Sequence, residues 1–403
     1  MAWLPVANIL HYKLRSVLSS LGIGIGICML VTLSGLSRGS LFEVADRWEA
    51  VDADLIVYPF GMGEAVTTLT GIGVSDKYVD RILADANVAE RAVPVFLWQV
   101  KLGGQDQLAA GVDADRWHTL VGGRKLKEGR LFDPEGRFAR WLEKELTSSD
   151  GDGGTTQPAE IDLRAAPSSG LEIVIDARLA RTGRYTVEQV VSFANHDWTI
   201  VGIVPEGGMT RVYMPRRTAQ YLFGSGSIQQ STLIFVKLKP GVDHNAAAAR
   251  LKGRIKQEVV QLSQYRAMLQ RKFGVLFMYV DIVNAVALTI SFLFTMITLY
   301  TMVLQRTREI AILKSSGASD RFILRQVLAE SGLLTAAGTV VGIGLSFPAA
   351  WAIQTFKPLL TVTITWQWIL IAACAAAVGA LLSGLYPAWR ATRVDMVEAL
   401  TLE

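Results

Sequence analysis

Charged residues are scarce in this chain of 403 residues. They make up 19% of it, against about 25% in an average soluble protein. Hydrophobic residues reach 51%, and this balance indicates contact with lipid. The formal net charge of +4 is too small and too scattered to indicate a nucleic-acid partner. In a membrane protein, the placement of the basic residues matters more than their sum, because it sets orientation.

Cysteine and histidine are equally sparse. The two cysteines, Cys28 and Cys374, both lie inside apolar runs, which argues against a structural disulfide and fits no metal site. The four histidines are widely separated, and each is best interpreted as a solvated or locally hydrogen-bonded side chain. The sequence therefore predicts no metal site.

Catalytic motifs are lacking as well. The chain contains no G-x-x-x-x-G-K-[ST], H-E-x-x-H or C-x-x-C sequence, so it cannot by itself hold a nucleotide phosphate or form those catalytic centres. Gly22, Gly24 and Gly26 fall within an apolar run, where small residues allow membrane helices to approach closely. We expect no catalytic residue and no cofactor in this chain, which is predicted not to be an enzyme.

Four stretches are apolar and long enough to cross a bilayer, which takes about 20 helical residues. They are residues 17–37, 275–304, 327–356 and 366–389. The first could be a cleaved signal peptide, but its apolar core is longer than usual and no clear cleavage site follows. We predict a retained helix. The acidic residues Asp281 and Glu330 lie near membrane boundaries rather than at mid-membrane, which argues against ion-coupled transport.

Basic residues flank these helices on one side. They occur in residues 1–16, 305–326 and 390–403, whereas the short loop 357–365 holds Lys357 alone. The positive-inside rule then places both termini in the cytoplasm. Residues 38–274 are predicted to lie outside.

The residue composition and patterns of the outer segment are typical of a soluble α+β domain. Residues 147–170 are rich in Gly, Ser, Pro and Asp, which is typical of a flexible loop and would divide the domain into two lobes. A helix is predicted over residues 75–86, with Ser75 as its N-cap, and another over residues 245–262. Strands are predicted over residues 54–58, 93–102, 171–175, 199–204, 211–214 and 233–238.

Residues 257–304 hold no proline and only one glycine, Gly274. We therefore expect a single helix that projects roughly 30 Å beyond the bilayer. That geometry is suited to carrying a motion between the outer domain and the cytoplasmic side. A break near Gly274 is the alternative.

Residues 305–326 form the second cytoplasmic segment. Ile310 and Leu313 are apolar among charges, Gly317 is suited to end a helix, and Ser319 can cap the next one. On this pattern alone, the short amphipathic helix could simply lie on anionic lipid.

This segment closely resembles the permeases of the MacB/FtsX superfamily of ABC transporters. Residues 306–319 read R-T-R-E-I-A-I-L-K-S-S-G-A-S, similar to the family pattern R-T-R-E-I-G-I-L-R-A-x-G-A-S. Residues 387–400 resemble the family ending P-A-x-R-A-A-R-x-D-P-V-E-A-L, with Met396 in place of proline, and residues 129–132 resemble its G-R-x-F.

The resemblance implies a bacterial inner-membrane permease that works as a dimer, as a homodimer or with a related chain. ATP and magnesium would bind in a partner ATPase, expected to be a separate polypeptide. It also implies an ATPase-coupling role for eight residues: Arg306, Arg308, Glu309, Ile310, Leu313, Lys314, Gly317 and Ala318.

By the same resemblance, ATP-driven motion would pass to the outer domain by mechanotransmission and drive export of a lipoprotein, peptide, drug or lipid. A periplasmic adaptor and an outer-membrane channel are possible partners. The alternative is regulation of a cell-wall hydrolase without transport, as in cell-division members of the superfamily. The size of the outer segment favours export.

Overall fold

The computed structural model describes residues 13–60, 73–85, 87–133, 141, 144, 171–224, 230–357 and 360–393. It separates into two compact units. The membrane unit comprises Met1–Leu41 and Phe273–Glu403, and the α/β domain comprises Phe42–Lys272. The predicted loop over residues 147–170 lies outside the described residues.

The described helices and strands are as follows. The helices are α1 (Lys13–Glu49), α2 (Lys77–Leu83), α3 (Trp117–Leu120), α4 (Ala177–Gly183), α5 (Arg216–Phe223), α6 (His244–Ile255), α7 (Tyr265–Lys272), α8 (Gly274–Gln305), α9 (Thr307–Ser315), α10 (Asp320–Phe356) and α11 (Trp366–Thr392). The strands are β1 (Leu55–Tyr58), β2 (Val74–Ser75), β3 (Ala89–Leu102), β4 (Gln105–Val112), β5 (Glu128–Gly129), β6 (Glu172–Asp176), β7 (Val190–Phe193), β8 (His196–Val204), β9 (Val212–Pro215), β10 (Gln230–Ser231), β11 (Leu233–Leu238) and β12 (Glu258–Gln261).

The α/β domain is built on one mixed sheet with the strand order β12-β1-β11-β3-β4-β9-β6-β8-β5, and β7 pairs with β8. The long strand β3 joins its two halves: Val95 and earlier residues pair with β11, whereas Phe96 and later residues pair with β4. β1 and β11 carry nearly unbroken runs of buried apolar residues, as expected of central strands.

Two hydrophobic clusters stabilise this domain. One includes Leu55, Ile234 and Leu251, and joins β1 and β11 to α6. The other includes Phe96, Ile175 and Trp198, and joins β3, β6 and β8. Each half of the sheet therefore has a core of its own.

In the membrane unit, α1 packs closely on α10 through glycines. A Cβ atom at Gly342 would lie 2.5 Å from the Gly24 carbonyl oxygen, and one at Gly338 would lie 2.8 Å from that of Ser20. Both distances are too short for a real side chain, so the backbones approach as predicted for the glycine-rich part of α1. Ile23 and Ile27 pack nearby against Ala372 and Ala376 of α11.

Four described helices, α1, α8, α10 and α11, are long and apolar enough to span a membrane. The α/β domain is inserted between the first and second of them. The predicted fold class is therefore confirmed: a four-helix membrane protein with a large inserted α+β domain.

The single helix predicted over residues 257–304 is wrong. Glu258–Gln261 form β12, whose Val259 pairs with Val57 of β1. A short 3-10 helix and α7 follow, and at Phe273 the backbone leaves helical geometry before α8 begins. Edge pairing with β1 satisfies the backbone of the Glu-Val-Val-Gln segment, and this tertiary context overrides helix propensity.

Two further predictions fail at helix ends. The helix predicted over residues 245–262 ends at Ile255, because Lys256 adopts a left-handed conformation with φ 54°. Ser75 lies in β2 and does not cap α2. The next residue, Asp76, does not cap it either, since its carboxylate is engaged by Arg216 and Ser231.

Candidate functional site

The predicted coupling residues lie on and beside α9, the short helix between α8 and α10. Glu309 is in its first turn and Lys314 in its last, which suits the helix dipole at both ends. Gly317 has a φ of 92°, the left-handed geometry that favours glycine. The Gly317 amide donates to the Lys314 carbonyl and the Ala318 amide donates to the Leu313 carbonyl, each at 3.0 Å. These bonds form a Schellman motif.

The next helix starts as the sequence predicts. The Ser319 side chain accepts a hydrogen bond from the Phe322 amide at 3.3 Å and caps α10. The turn between α9 and α10 is thus defined at both ends by hydrogen bonds from backbone amides, to carbonyl groups at the end of α9 and to the Ser319 hydroxyl at the start of α10.

One face of α9 is buried against the membrane helices. Ile310 and Ala311 are buried, and Ile310 packs in a cluster whose other members come from α8, α10 and α11: Val303, Ile323, Val327, Ala388 and Ala391. This burial holds α9 against the helix ends and limits its freedom to lie separately on lipid.

A buried ion pair connects α9 to α10. Arg306 Nη1 lies 3.2 Å from Glu330 Oε1, and the two side chains are only 11% and 7% exposed. Arg306 Nε also donates to Glu309 Oε2 at 2.9 Å. Burial alone would lower the pKa of Arg306, but its bonds to the two glutamates raise it above the ordinary value. Arg306 is therefore a fixed cation shared by an exposed and a buried carboxylate.

A cavity of about 20 Å³ lies beside this pair and is lined in part by Arg306, Glu309 and Glu330. Such a volume accommodates about one water molecule. It is too small for a substrate or a nucleotide.

The other end of α9 is tied to α11. Lys314 Nζ donates to the Thr392 carbonyl at 2.7 Å and lies 3.4 Å from Asp320 Oδ1. The two ends of α9 are therefore both attached to membrane helices: Arg306 to α10, and Lys314 to α11 and to the first residue of α10.

The opposite face of α9 is exposed. Ile312 is 50% exposed, with Arg308 and Glu309 one turn before it and Ser315 and Ser316 one turn after it. We call these five residues the α9 face. The α9 face is therefore polar and charged apart from Ile312, and it is accessible to another protein.

The structure distinguishes among the eight predicted coupling residues. Arg308, Glu309 and Gly317 are exposed, whereas Ile310 is buried; Arg306, Leu313, Lys314 and Ala318 are partly buried. The buried and partly buried members hold α9 in place, and only the exposed ones are available to a partner. Their coupling role itself stays a prediction. The predicted set does not include Ile312 or Glu330. The helical spacing of exposed positions could have indicated Ile312, whereas no sequence pattern indicates Glu330.

A second charged cluster lies in the α/β domain, at the end of α1. Glu43 Oε1 accepts hydrogen bonds from Arg47, Arg178 and Arg211, each at 3.1 Å. Asp176 Oδ2 lies 3.3 Å from Arg47 Nη1, and Asp176 Oδ1 accepts from the Leu179 amide to cap α4. We call these five charged residues the α1 clamp: Glu43, Arg47, Asp176, Arg178 and Arg211.

The centre of the α1 clamp is buried. Arg47 is 8% exposed and Asp176 is fully buried. Burial raises the pKa of Asp176, against the lowering effect of the Leu179 amide and the arginines. Burial, then repulsion from Arg47, lowers the pKa of Arg211. The clamp fixes the last turns of α1 to β6, to α4 and to Arg211, the residue that precedes β9.

Within the described part of the chain, no group of three or more His, Cys, Asp or Glu residues could hold a metal ion. The charged groups of the two clusters are instead paired with one another. Neither arrangement has the geometry of a catalytic centre.

Known proteins resemble the chain over nearly its whole length. A pyoverdine export ATP-binding/permease protein, PvdT of Pseudomonas syringae pv. tomato, is 26% identical and is matched over 97% of this chain and 58% of its own length. A macrolide export ATP-binding/permease protein, MacB of Chlorobium luteolum, is 23% identical over 98% of this chain and 59% of its own length. The chain thus spans less than two thirds of these relatives.

Among solved structures, the periplasmic region of MacB from Actinobacillus actinomycetemcomitans aligns with a TM-score of 0.35 and 14% identity, over 56% of this chain and 97% of that one.

Two family matches divide the chain. Residues 16–254 match the MacB-like periplasmic core domain, and residues 282–396 match the FtsX-like permease C-terminal family. The first match alone covers more than half of the chain. The chain therefore belongs to the MacB/FtsX-like family of ABC transporter permeases.

Proposed function

We propose that this chain is the permease subunit of an ABC exporter and that a separate ATPase subunit, loaded with ATP and magnesium, docks on the α9 face. The observation that carries the proposal is the exposed α9 face on a helix whose two ends are attached to α10 and α11. A partner that moves α9 then moves membrane helices rather than a free loop.

The sequence of events follows from these attachments. Closure of an ATPase pair would displace α9, and with it α10 through Arg306 and α11 through Lys314. α1 is the proposed route to the α/β domain, since it is one continuous helix of 37 residues, about 55 Å long, and ends in the α1 clamp. This assigns to α1 the transmitting role that the sequence suggested for the second membrane helix.

The proposed cargo is a lipoprotein, peptide, drug or lipid that is taken from the outer leaflet or periplasm. Relatives named for export of pyoverdine, syringafactin and macrolides support export as the activity. Within residues 17–37, 275–304, 327–356 and 366–389, the charged residues are Asp281 and Glu330. They pair with Arg38 and Arg306. The cargo need not cross the helix bundle.

We further propose a bacterial inner-membrane location with cytoplasmic termini, assembly with a second permease copy, and a possible adaptor and outer-membrane channel. Exposed arginines near α9 and at the end of α11 support the orientation. They are Arg308, Arg321, Arg325, Arg390 and Arg393.

Affinity purification of the tagged chain in mild detergent tests this function. We expect an ABC ATPase to co-purify, together with a periplasmic adaptor or an exported protein. Arg308→Glu should lower recovery of the ATPase, whereas Arg325→Glu, an exposed arginine on α10, serves as the matched control. Absence of an ATPase from a complex shown to survive extraction would contradict the proposal.

The alternative function is regulation of a cell-wall hydrolase without transport, and the match of residues 282–396 to FtsX-like permeases keeps it open. Recovery of the ATPase with a hydrolase or its activator would favour that alternative. The match to the MacB-like periplasmic core domain favours export.

A further inference from the structure

Glu330 is an acidic residue buried in a membrane helix. It is 5% exposed, and the Arg306 bond ties it to the segment between α8 and α9. A carboxylate in this position is costly, and apolar residues of similar volume are often at least as stable as a buried ion pair. Stability alone is therefore a weak explanation for the pair.

Arg306 also occupies the joint between two helices. It is at once the C-cap of α8 and the N-cap of α9, with φ −111° and ψ 18°. Any rotation of α9 relative to α8 must pass through its backbone. Its side chain, meanwhile, is held by Glu330 of α10. The pivot of α9 is thus attached to α10 by an ion pair.

The same guanidinium holds Glu309, whose side chain is 61% exposed on the α9 face. The guanidinium is planar and its N–H groups point in fixed directions, so a movement of one bonded carboxylate favours a matching movement of the other while both bonds hold. A displacement of Glu309 by a docked partner is therefore passed to Glu330.

We infer that Glu330 and Arg306 are positioning residues: the chain Glu309–Arg306–Glu330 sets the orientation of the α9 face and conveys its movement to α10. This inference rests on the proposed function, because it assumes an ATPase bound to the α9 face. Arg306 is too buried to be the docking contact itself, and it acts through Glu309.

The decisive variant is the double substitution R306M/E330M, which removes both charges and leaves neither partner buried alone. If the pair is only structural, this variant behaves as the wild type, since apolar replacement of a buried pair is well tolerated. If the pair positions α9, the variant assembles and hydrolyses ATP but no longer drives the α/β domain.

The experiment uses the complex co-purified with its ATPase in nanodiscs. The readouts are the rate of ATP hydrolysis and hydrogen–deuterium exchange over residues 42–272, with and without ATP plus vanadate. For R306M/E330M we expect hydrolysis close to the wild-type rate and loss of most of the nucleotide-dependent change in exchange. Arg325→Met, which removes an arginine from α10 outside the pair, should leave both readouts unchanged.

Glu330→Gln provides a second test, because it retains Arg306 and Glu309 and removes only the buried charge. We expect a reduced exchange response with retained ATPase binding. A full response in R306M/E330M or in Glu330→Gln would overturn the inference. If instead the wild-type chain retains no ATPase or shows no nucleotide-dependent exchange, the proposed function itself has failed.

Discussion

Gly317 shows how a single residue defines the α9 turn. Its φ of 92° places it in the left-handed region, and a Cβ atom there would meet nothing within 4 Å. A substitution therefore acts through the backbone, at a cost of about 1–2 kcal/mol for most residues, and not through a clash. The same turn sets the angle at which α9 presents its exposed face.

We predict that Gly317→Trp and Glu309→Lys each uncouple ATP hydrolysis from transport while the protein remains in the membrane. The first distorts the turn, and the second reverses the exposed charge that Arg306 holds. Gly317→Asn is the matched control, because asparagine tolerates the left-handed conformation. Immunoblots of membranes, ATP hydrolysis and transport would be measured at equal abundance, and normal transport by either variant would contradict the prediction.

Some of these residue roles could be predicted from sequence and others could not. Gly317 and Ser319 act on neighbouring backbone groups, so local pattern identifies them. The Arg306–Glu330 pair joins residues 24 positions apart, and it exists only because α8 and α10 are packed together. Lys314 and Thr392 are still farther apart along the chain.

At the scale of elements, α1 is one unbroken helix whose residues belong to the membrane unit up to Leu41 and to the α/β domain from Phe42 onward. Its last turns are fixed by the α1 clamp, in which Arg47 and Asp176 are the buried pair. Loss of Arg47 leaves the buried Asp176 with the Leu179 amide and with Arg211, whose Nε lies 3.9 Å from its Oδ2. Removal of one partner of a buried pair typically costs about 3 kcal/mol or more.

We therefore predict that Arg47→Met lowers the free energy of unfolding of the α/β domain by about 3 kcal/mol. Arg178→Met, which removes a more exposed arginine bonded to Glu43, should cost less than about 1 kcal/mol. Thermal unfolding followed by tryptophan fluorescence would compare the two. Equal losses of unfolding free energy in the two variants would contradict the prediction that the buried Arg47–Asp176 pair contributes more than the exposed contact of Arg178.

The loss in Arg47→Met should also depend on pH. The pKa of Asp176 is raised above its ordinary value of 3.8, so the folded chain keeps this proton to higher pH than the unfolded chain does. The resulting stability is present at acid pH and is lost as pH rises through the raised pKa. Arg47 lowers the pKa of Asp176, so its removal raises that pKa further. The loss of unfolding free energy in Arg47→Met should therefore be smaller near pH 4 than at pH 7.

Elements were predictable where their residues repeat with a clear period. The four membrane helices and the buried strands β1 and β11 follow from apolar runs alone. β4 was missed because its first residues are polar. Gly103-Gly104 before it is nevertheless a turn signal for a hairpin with β3. β12 could not be recognised, since it is a strand only by pairing with β1.

At the scale of the molecule, the order of membrane helices and inserted domain is that of the MacB/FtsX-like family, and sequence identified it correctly. The attachments that would carry force are distributed over distant parts of the chain, and they became visible only in the structure. α9 is attached at both ends to membrane helices, and the α9 face is exposed. We propose that an ATPase binds this face.

The most direct test places a photoreactive amino acid at Ile312 in the full chain and identifies the crosslinked protein by mass. Val190, similarly exposed at 57% against 50% for Ile312 but located in the α/β domain, is the control position. We predict an adduct with an ABC ATP-binding subunit from position 312 and none from position 190. An intact ATPase complex that yields no ATPase adduct at 312, or yields it equally at 190, would contradict the account.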